Sequence, residues 1–174
     1  MTTRETVDVD GVPISYLTAG KGGPLVLLLH GTYWSRVWQP VLEGIAAAGL
    51  RPVAVDFPGF GRSGGELTVS EASVPRLSAW LVRFIEALGH KGPVMVAGHD
   101  IGGGVAQHLM LAGAVEVPRV AGERHHVRFV ASTRRCPLPG SCSGGRDDAG
   151  RCSGRASNIR REGPWALRER SRDH

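Results

Sequence analysis

Three short apolar runs stand out along the first hundred residues: PLVLLL from Pro24 to Leu29, PVAV from Pro52 to Val55, and VMVA from Val94 to Ala97. None alternates with polar residues and none is long enough for a helix, so each predicts a buried strand covered on both faces. Between them the period changes. Trp38, Leu42 and Ile45, flanked by Val37 and Val41, recur at helical spacing until Gly49. The stretch from Val74 to Leu88 places Val74, Leu77, Leu81, Phe84, Ile85 and Leu88 on one face and Arg76, Arg83 and Glu86 elsewhere. Gly92-Pro93 ends that helix, and another is expected from about Gly102 to Ala112. Ahead of the first buried run, Val7 to Ala19 reads as two short β segments around the turn dipeptide Asp10-Gly11. Strand and helix in alternation predict a parallel sheet between helices.

The pattern stops near Ala114. Beyond it, CPLPGSCSGGRDDAGRCSGRASN has neither period, and such a composition buries too little apolar surface to offset chain entropy. Val127 to Val130 is the one candidate strand there, and Pro164 to Leu167 a short apolar anchor. Charge divides at the same place. Residues 1–114 carry six Arg and two Lys against nine acids, whereas residues 115–174 carry thirteen Arg and no Lys against seven. The formal charge of +5 therefore belongs to the tail. That tail lacks interleaved aromatics, so a solvated segment is expected and no nucleic-acid partner. Cys136, Cys142 and Cys152 match no zinc or redox spacing, and no metal is expected. The polar start and the absence of a long apolar run predict a cytoplasmic chain with no membrane partner.

Candidate chemistry lies at the carboxyl ends of the three buried runs, where open α/β sheets place their sites. These are His30-Gly31-Thr32-Tyr33-Trp34, then Asp56-Phe57-Pro58-Gly59-Phe60-Gly61-Arg62-Ser63, then Gly98-His99-Asp100-Ile101-Gly102. In this order they resemble the N-terminal half of the α/β-hydrolase family, over roughly residues 8–114. The third is the family's nucleophile elbow, G-x-S-x-G, with Asp for Ser. The resemblance implies an α/β-hydrolase-type, mostly parallel sheet with flanking helices. It makes residues 1–114 the N-terminal half of a hydrolase domain, an incomplete fold, while composition marks residues 115–174 as an atypical Arg/Gly/Ser-rich tail, irregular or disordered. The switch to Arg-only, Gly- and Ser-rich sequence is what an out-of-frame reading of a GC-rich gene would produce.

Family members with Asp at the elbow are epoxide hydrolases and haloalkane or haloacetate dehalogenases. The resemblance thus implies a cofactor-free hydrolase acting on a small molecule, in which Asp100 opens a C–O or C–halogen bond through an alkyl ester. By position the backbone N–H groups of Thr32 and Ile101 form the oxyanion hole. His30, Gly31, Gly98, His99 and Gly102 support the elbow and its facing loop, with His30 bracing the loop and His99 packing. Tyr33 and Trp34 are candidates for the substrate pocket. Two positions depart from the family pattern: Ile101 replaces the Trp that serves as a halide donor, and Tyr33 stands where Pro is usual. The remaining triad acid and histidine would follow later strands; His125, His126, His174, Asp147 and Asp148 carry no strand signal that would assign them. Other readings stay open on sequence. Asp100 could be an ordinary helix N-cap. Gly59 to Gly64 fits G-x-G-x-x-G, the mark of a Rossmann-type nucleotide binder. The chain could also be an inactive remnant or a non-catalytic small-molecule binder.

Overall fold

The computed structural model describes residues 1–20, 22–124 and 127–132. Seven strands form one sheet in the order β1-β2-β4-β3-β5-β6-β7. The strands are β1 (Thr2–Val9), β2 (Val12–Ala19), β3 (Leu25–Leu29), β4 (Arg51–Val55), β5 (Val94–His99), β6 (Arg119–Arg124) and β7 (Val127–Ser132). The helices are α1 (Gln39–Ala47), α2 (Val74–Ala87) and α3 (Ile101–Ala112), with a single 3-10 turn at Ser35–Trp38 leading into α1. The centre is parallel: β3 pairs with β4 and β5, and β5 pairs with β6. The β1–β2 hairpin joins antiparallel to β4, and β7 folds back antiparallel on β6.

Side-chain alternation along β3 divides the core into two layers. Leu25, Leu27 and Leu29 face α2 and α3, where Leu77, Leu81, Phe84, Val105 and Leu109 meet them. Val26 and Leu28 face α1 and pack with Leu17, Ala54 and Leu42. The α1 layer is thinner, with Met95 and Ala97 of β5 only half-buried there. Each helix ends where its sequence stops supporting it. Gly49, Gly89 and Gly113 take positive φ after α1, α2 and α3, a conformation that costs other residues more.

Two elements were not legible from periodicity. Strand β1 starts at Thr2, five residues before the apolar signal, because TTRETVDV is an edge strand with mostly polar, exposed side chains. The sheet also continues past Ala114, through β6. RVAGER carries a glycine and three charges, and its place comes from its partner: Val96↔Val120, Ala97↔Ala121, Gly98↔Gly122 and His99↔Glu123 extend the ladder of β5. Val120 alone brings a fully buried apolar side chain to this strand's described part. Among the described residues no helix is long and apolar enough to cross a membrane.

Leu27 is completely buried at the centre of the thicker layer. Leu27→Ala is expected to lower the unfolding free energy by about 2–5 kcal/mol, the transfer term plus the cavity. A urea titration measures this.

Candidate functional site

Strand β5 runs into α3 with a single residue between them, and that residue is Asp100. Its backbone sits at φ 55, ψ −120, a conformation that strains any residue with a Cβ. Close packing imposes it. A methyl group added to Gly98 would strike the carbonyl of Gly102, and one added to Gly102 would strike the carbonyls of Leu29 and His30. The first turn of α3 therefore lies backbone to backbone on the ends of β5 and β3. The chain has room to reverse only through a left-handed residue at position 100.

The geometry excludes an ordinary N-cap. Such a residue has β-region backbone and a side-chain oxygen accepting an N–H of the first turn. Asp100 has neither, and its carboxylate makes no cap bond. The carboxylate is turned toward the loop after β3, where a methyl placed on Gly31 would lie 2.6 Å from both Cβ and Oδ2 of Asp100. As the first residue of α3, Ile101 holds its N–H outside the helical ladder, at the positive end of the helix dipole. The N–H of Thr32, on the facing loop, has no hydrogen-bond partner among the described residues. The outer surface here is apolar: Tyr33, Trp34 and Ile101 are 57%, 42% and 43% exposed.

His30 is fully buried. Its Nε2 accepts the N–H of Phe57 at 3.1 Å, so Nδ1 carries the proton and donates to the carbonyl of Gly31 at 2.9 Å. Both ring nitrogens are thereby engaged in holding the two loops together. Burial pushes the imidazole below its ordinary value, against weaker opposing effects of the Gly31 carbonyl and Asp56. Phe57 and Phe60 pack on the ring, and Phe57 passes the contact to Trp80 of α2. His99, by contrast, is exposed and packs into no core layer. By strand alternation position 99 shares the face of Met95 and Ala97, the face that α1 covers only in part.

The residue that sequence reasoning passed over is Asp56. It is completely buried and charged, which is costly unless every oxygen is met. Oδ1 accepts the N–H of Ser35 at 2.6 Å; Oδ2 accepts Arg4 Nη1 at 2.9 Å and the N–H of Arg62 at 3.2 Å. The backbone of Gly61 closes over the carboxylate, leaving no room for a Cβ. This decides the fate of the G-x-G-x-x-G segment. Gly59 to Gly64 forms a closed loop, joined by the Gly59 N–H to the Gly64 carbonyl, that spends an amide on an internal carboxylate. The next helix starts only at Val74. A dinucleotide site needs free amides opening directly into a helix, so the Rossmann-type reading is set aside. Among the described residues no group of three or more His, Cys, Asp and Glu is placed to hold a metal. His125, His126, His174, Asp147 and Asp148 lie outside the described residues.

A largely parallel central sheet with helices packed on both faces makes this an α/β protein. A sequence model of the alpha/beta hydrolase family matches residues 26–173, and the chain belongs to that family. The match includes the Arg-, Gly- and Ser-rich segment. Epoxide hydrolase A of Mycobacterium tuberculosis is 33% identical over 121 residues, covering 68% of this chain and 37% of that protein. The dihydrolipoyllysine-residue acetyltransferase component of the acetoin cleaving system of Cupriavidus necator is 34% identical over 64% of this chain and 28% of its own length. The crystal structure of an epoxide hydrolase from Vigna radiata superposes with a TM-score of 0.63 at 28% identity, over 70% of this chain and 39% of that one. The chain thus spans little more than a third, or less, of these relatives.

Two measurements probe the site's construction. Gly98→Ala is expected to destabilise by about 1–3 kcal/mol or more through backbone overlap. Gly44→Ala, in open space on α1, should stabilise by roughly 0.5–1 kcal/mol; paired thermal melts read both signs. The second concerns pH. His30 binds a proton less readily folded than unfolded. Its contribution to stability is therefore complete above the ordinary value of 6.5 and is lost as pH falls below it. His30→Gln should flatten the fall in unfolding free energy between about pH 7 and 5.

Proposed function

We propose that the chain is a hydrolase of the aspartate-nucleophile type, in which Asp100 opens an epoxide C–O bond or a C–halogen bond through an alkyl-enzyme ester. The observation that carries this reading is the conformation of Asp100: a non-glycine residue held at φ 55 with its carboxylate uncapped and aimed at Gly31. Strain of this kind persists only where packing over-determines it. A carboxylate attacks carbon without first losing a proton, so no base is needed for the first step. One oxygen of Asp100 forms a bond to carbon as the C–O or C–halogen bond breaks. The departing epoxide oxygen keeps the electron pair and takes up a proton from solvent water, whereas a halide leaves with the pair as the anion. The amides of Thr32 and Ile101 hold the second carboxylate oxygen and, later, the oxyanion formed when water attacks the ester.

An epoxide is preferred to a haloalkane as substrate. A halide leaves as an anion that needs a donor, and Ile101 offers an apolar side chain at the position next to the nucleophile. The exposed Tyr33, Trp34 and Ile101 favour a small apolar substrate. Epoxide hydrolases among the relatives support the same choice. Ester hydrolysis requires a general base. Of the two histidines beside the site, buried His30 is engaged at both nitrogens and His99 is exposed on the elbow; an ester that forms faster than it hydrolyses is the species to trap.

Incubation with styrene oxide, followed by intact-mass and peptide mapping, tests the proposal. A single adduct on Asp100, absent in Asp100→Asn, is expected, with 1-chlorohexane giving less. A folded wild-type chain that neither acquires an adduct nor releases diol or alcohol from either reagent would refute it.

A further inference from the structure

We infer that the buried carboxylate of Asp56 is a positioning residue that sets where the Thr32 amide stands over Asp100; this rests on the reading of Asp100 as nucleophile. The loop from Gly31 to Ser35 carries that amide, and Thr32, Tyr33 and Trp34 are all exposed, so no core packing fixes them. The loop is held at its two ends. At one end His30 bonds the Phe57 N–H and the Gly31 carbonyl. At the other, Ser35 is completely buried, its hydroxyl has no hydrogen-bond partner among the described residues, and its N–H goes to Asp56 Oδ1 at 2.6 Å. Both anchors converge on two adjacent residues, the carboxylate of Asp56 and the N–H of Phe57.

Asp56 is itself fixed from several sides. The Asp56 N–H donates to the Ser15 carbonyl at 2.9 Å, and the Asp56 carbonyl accepts the Ser63 hydroxyl at 2.7 Å. Arg4 reaches from the edge strand to both Asp56 Oδ2, at 2.9 Å, and Ser15 Oγ, at 2.7 Å. Arg4 is the cation that neutralises the buried charge. Charge matters here beyond shape. An ionised carboxylate accepts from every side, and the three groups around it, Ser35 N–H, Arg62 N–H and Arg4, are all donors. An amide of the same size must turn its NH₂ toward one of them. Asp56→Asn therefore keeps the volume and releases one tether, and Arg4→Met strips the charge of its partner.

Single-turnover alkylation of Asp100 by styrene oxide, followed by mass against reagent concentration, separates the limiting rate from the half-saturating concentration. Asp56→Asn is expected to lower the limiting rate per folded molecule roughly tenfold or more, as misplacement of a reacting group does, with half-saturation little changed. Arg4→Met should follow it and Arg4→Lys should recover most of the rate. Phe84→Leu, separated from Phe57 by the ring of Trp80 and touching none of the tethers, provides the comparison: it loses stability and keeps its limiting rate. If Asp56→Asn and Arg4→Met behave like Phe84→Leu, the inference is overturned. If wild-type protein forms neither adduct nor diol, the nucleophile reading fails by itself. The Thr32 amide resonance then decides the positioning: it moves in folded Asp56→Asn or Arg4→Met if the carboxylate sets the loop, and an unmoved resonance overturns the inference.

Discussion

The first turn of α3 lies so close to the ends of β5 and β3 that side chains are excluded from Gly98 and Gly102. This approach of backbone to backbone governs the region around it. It forces Asp100 into the left-handed region, lifts its carboxylate off the helix, and brings the Gly31 loop against it. Helix α3 can dock this closely because Val105, Ala106 and Leu109 complete the same core layer that Leu25, Leu27 and Leu29 present from β3. Burial of that layer is what holds the strained turn in place, since apolar area removed from water is the largest favourable term available.

A second, polar framework complements the apolar one. His30 and Asp56 are both completely buried, and each would weaken the fold if left unmet. Together they join β1, β2 and the loops after β3 and β4 by hydrogen bonds and the Arg4–Asp56 ion pair. The loop that follows Asp56 is thus folded inward on an internal anion. That arrangement explains why a glycine pattern resembling a phosphate cradle serves here as a lining for a side chain of the same molecule.

The parts of this architecture that sequence could reveal are those that depend on near neighbours. The runs at Leu25, Val53 and Val94 announce β3, β4 and β5 because both of their faces are buried, and α2 shows because its face repeats. Asp100 is legible through the glycines two residues to either side. β6 is not, because RVAGER acquires its conformation from the edge of β5. Nor is the role of Asp56: its partners Arg4, Ser35 and Arg62 lie 52, 21 and 6 residues away. A lone Asp after a strand gives no hint of which distant donors it will gather. The exposure of His99 likewise depends on which layers exist above it.

The left-handed torsion of Asp100 has a meaning apart from chemistry. Gly31 and Asp100 belong to strand ends far apart in sequence, and the torsion is favourable only while β3, β5 and α3 are all docked. Once any of them separates, the residue relaxes to an ordinary conformation. The carbon chemical shifts of this single residue, which follow φ and ψ, are therefore a built-in gauge of cooperative folding. They distinguish a fully assembled chain from a collapsed one that has its helices but lacks the docked turn.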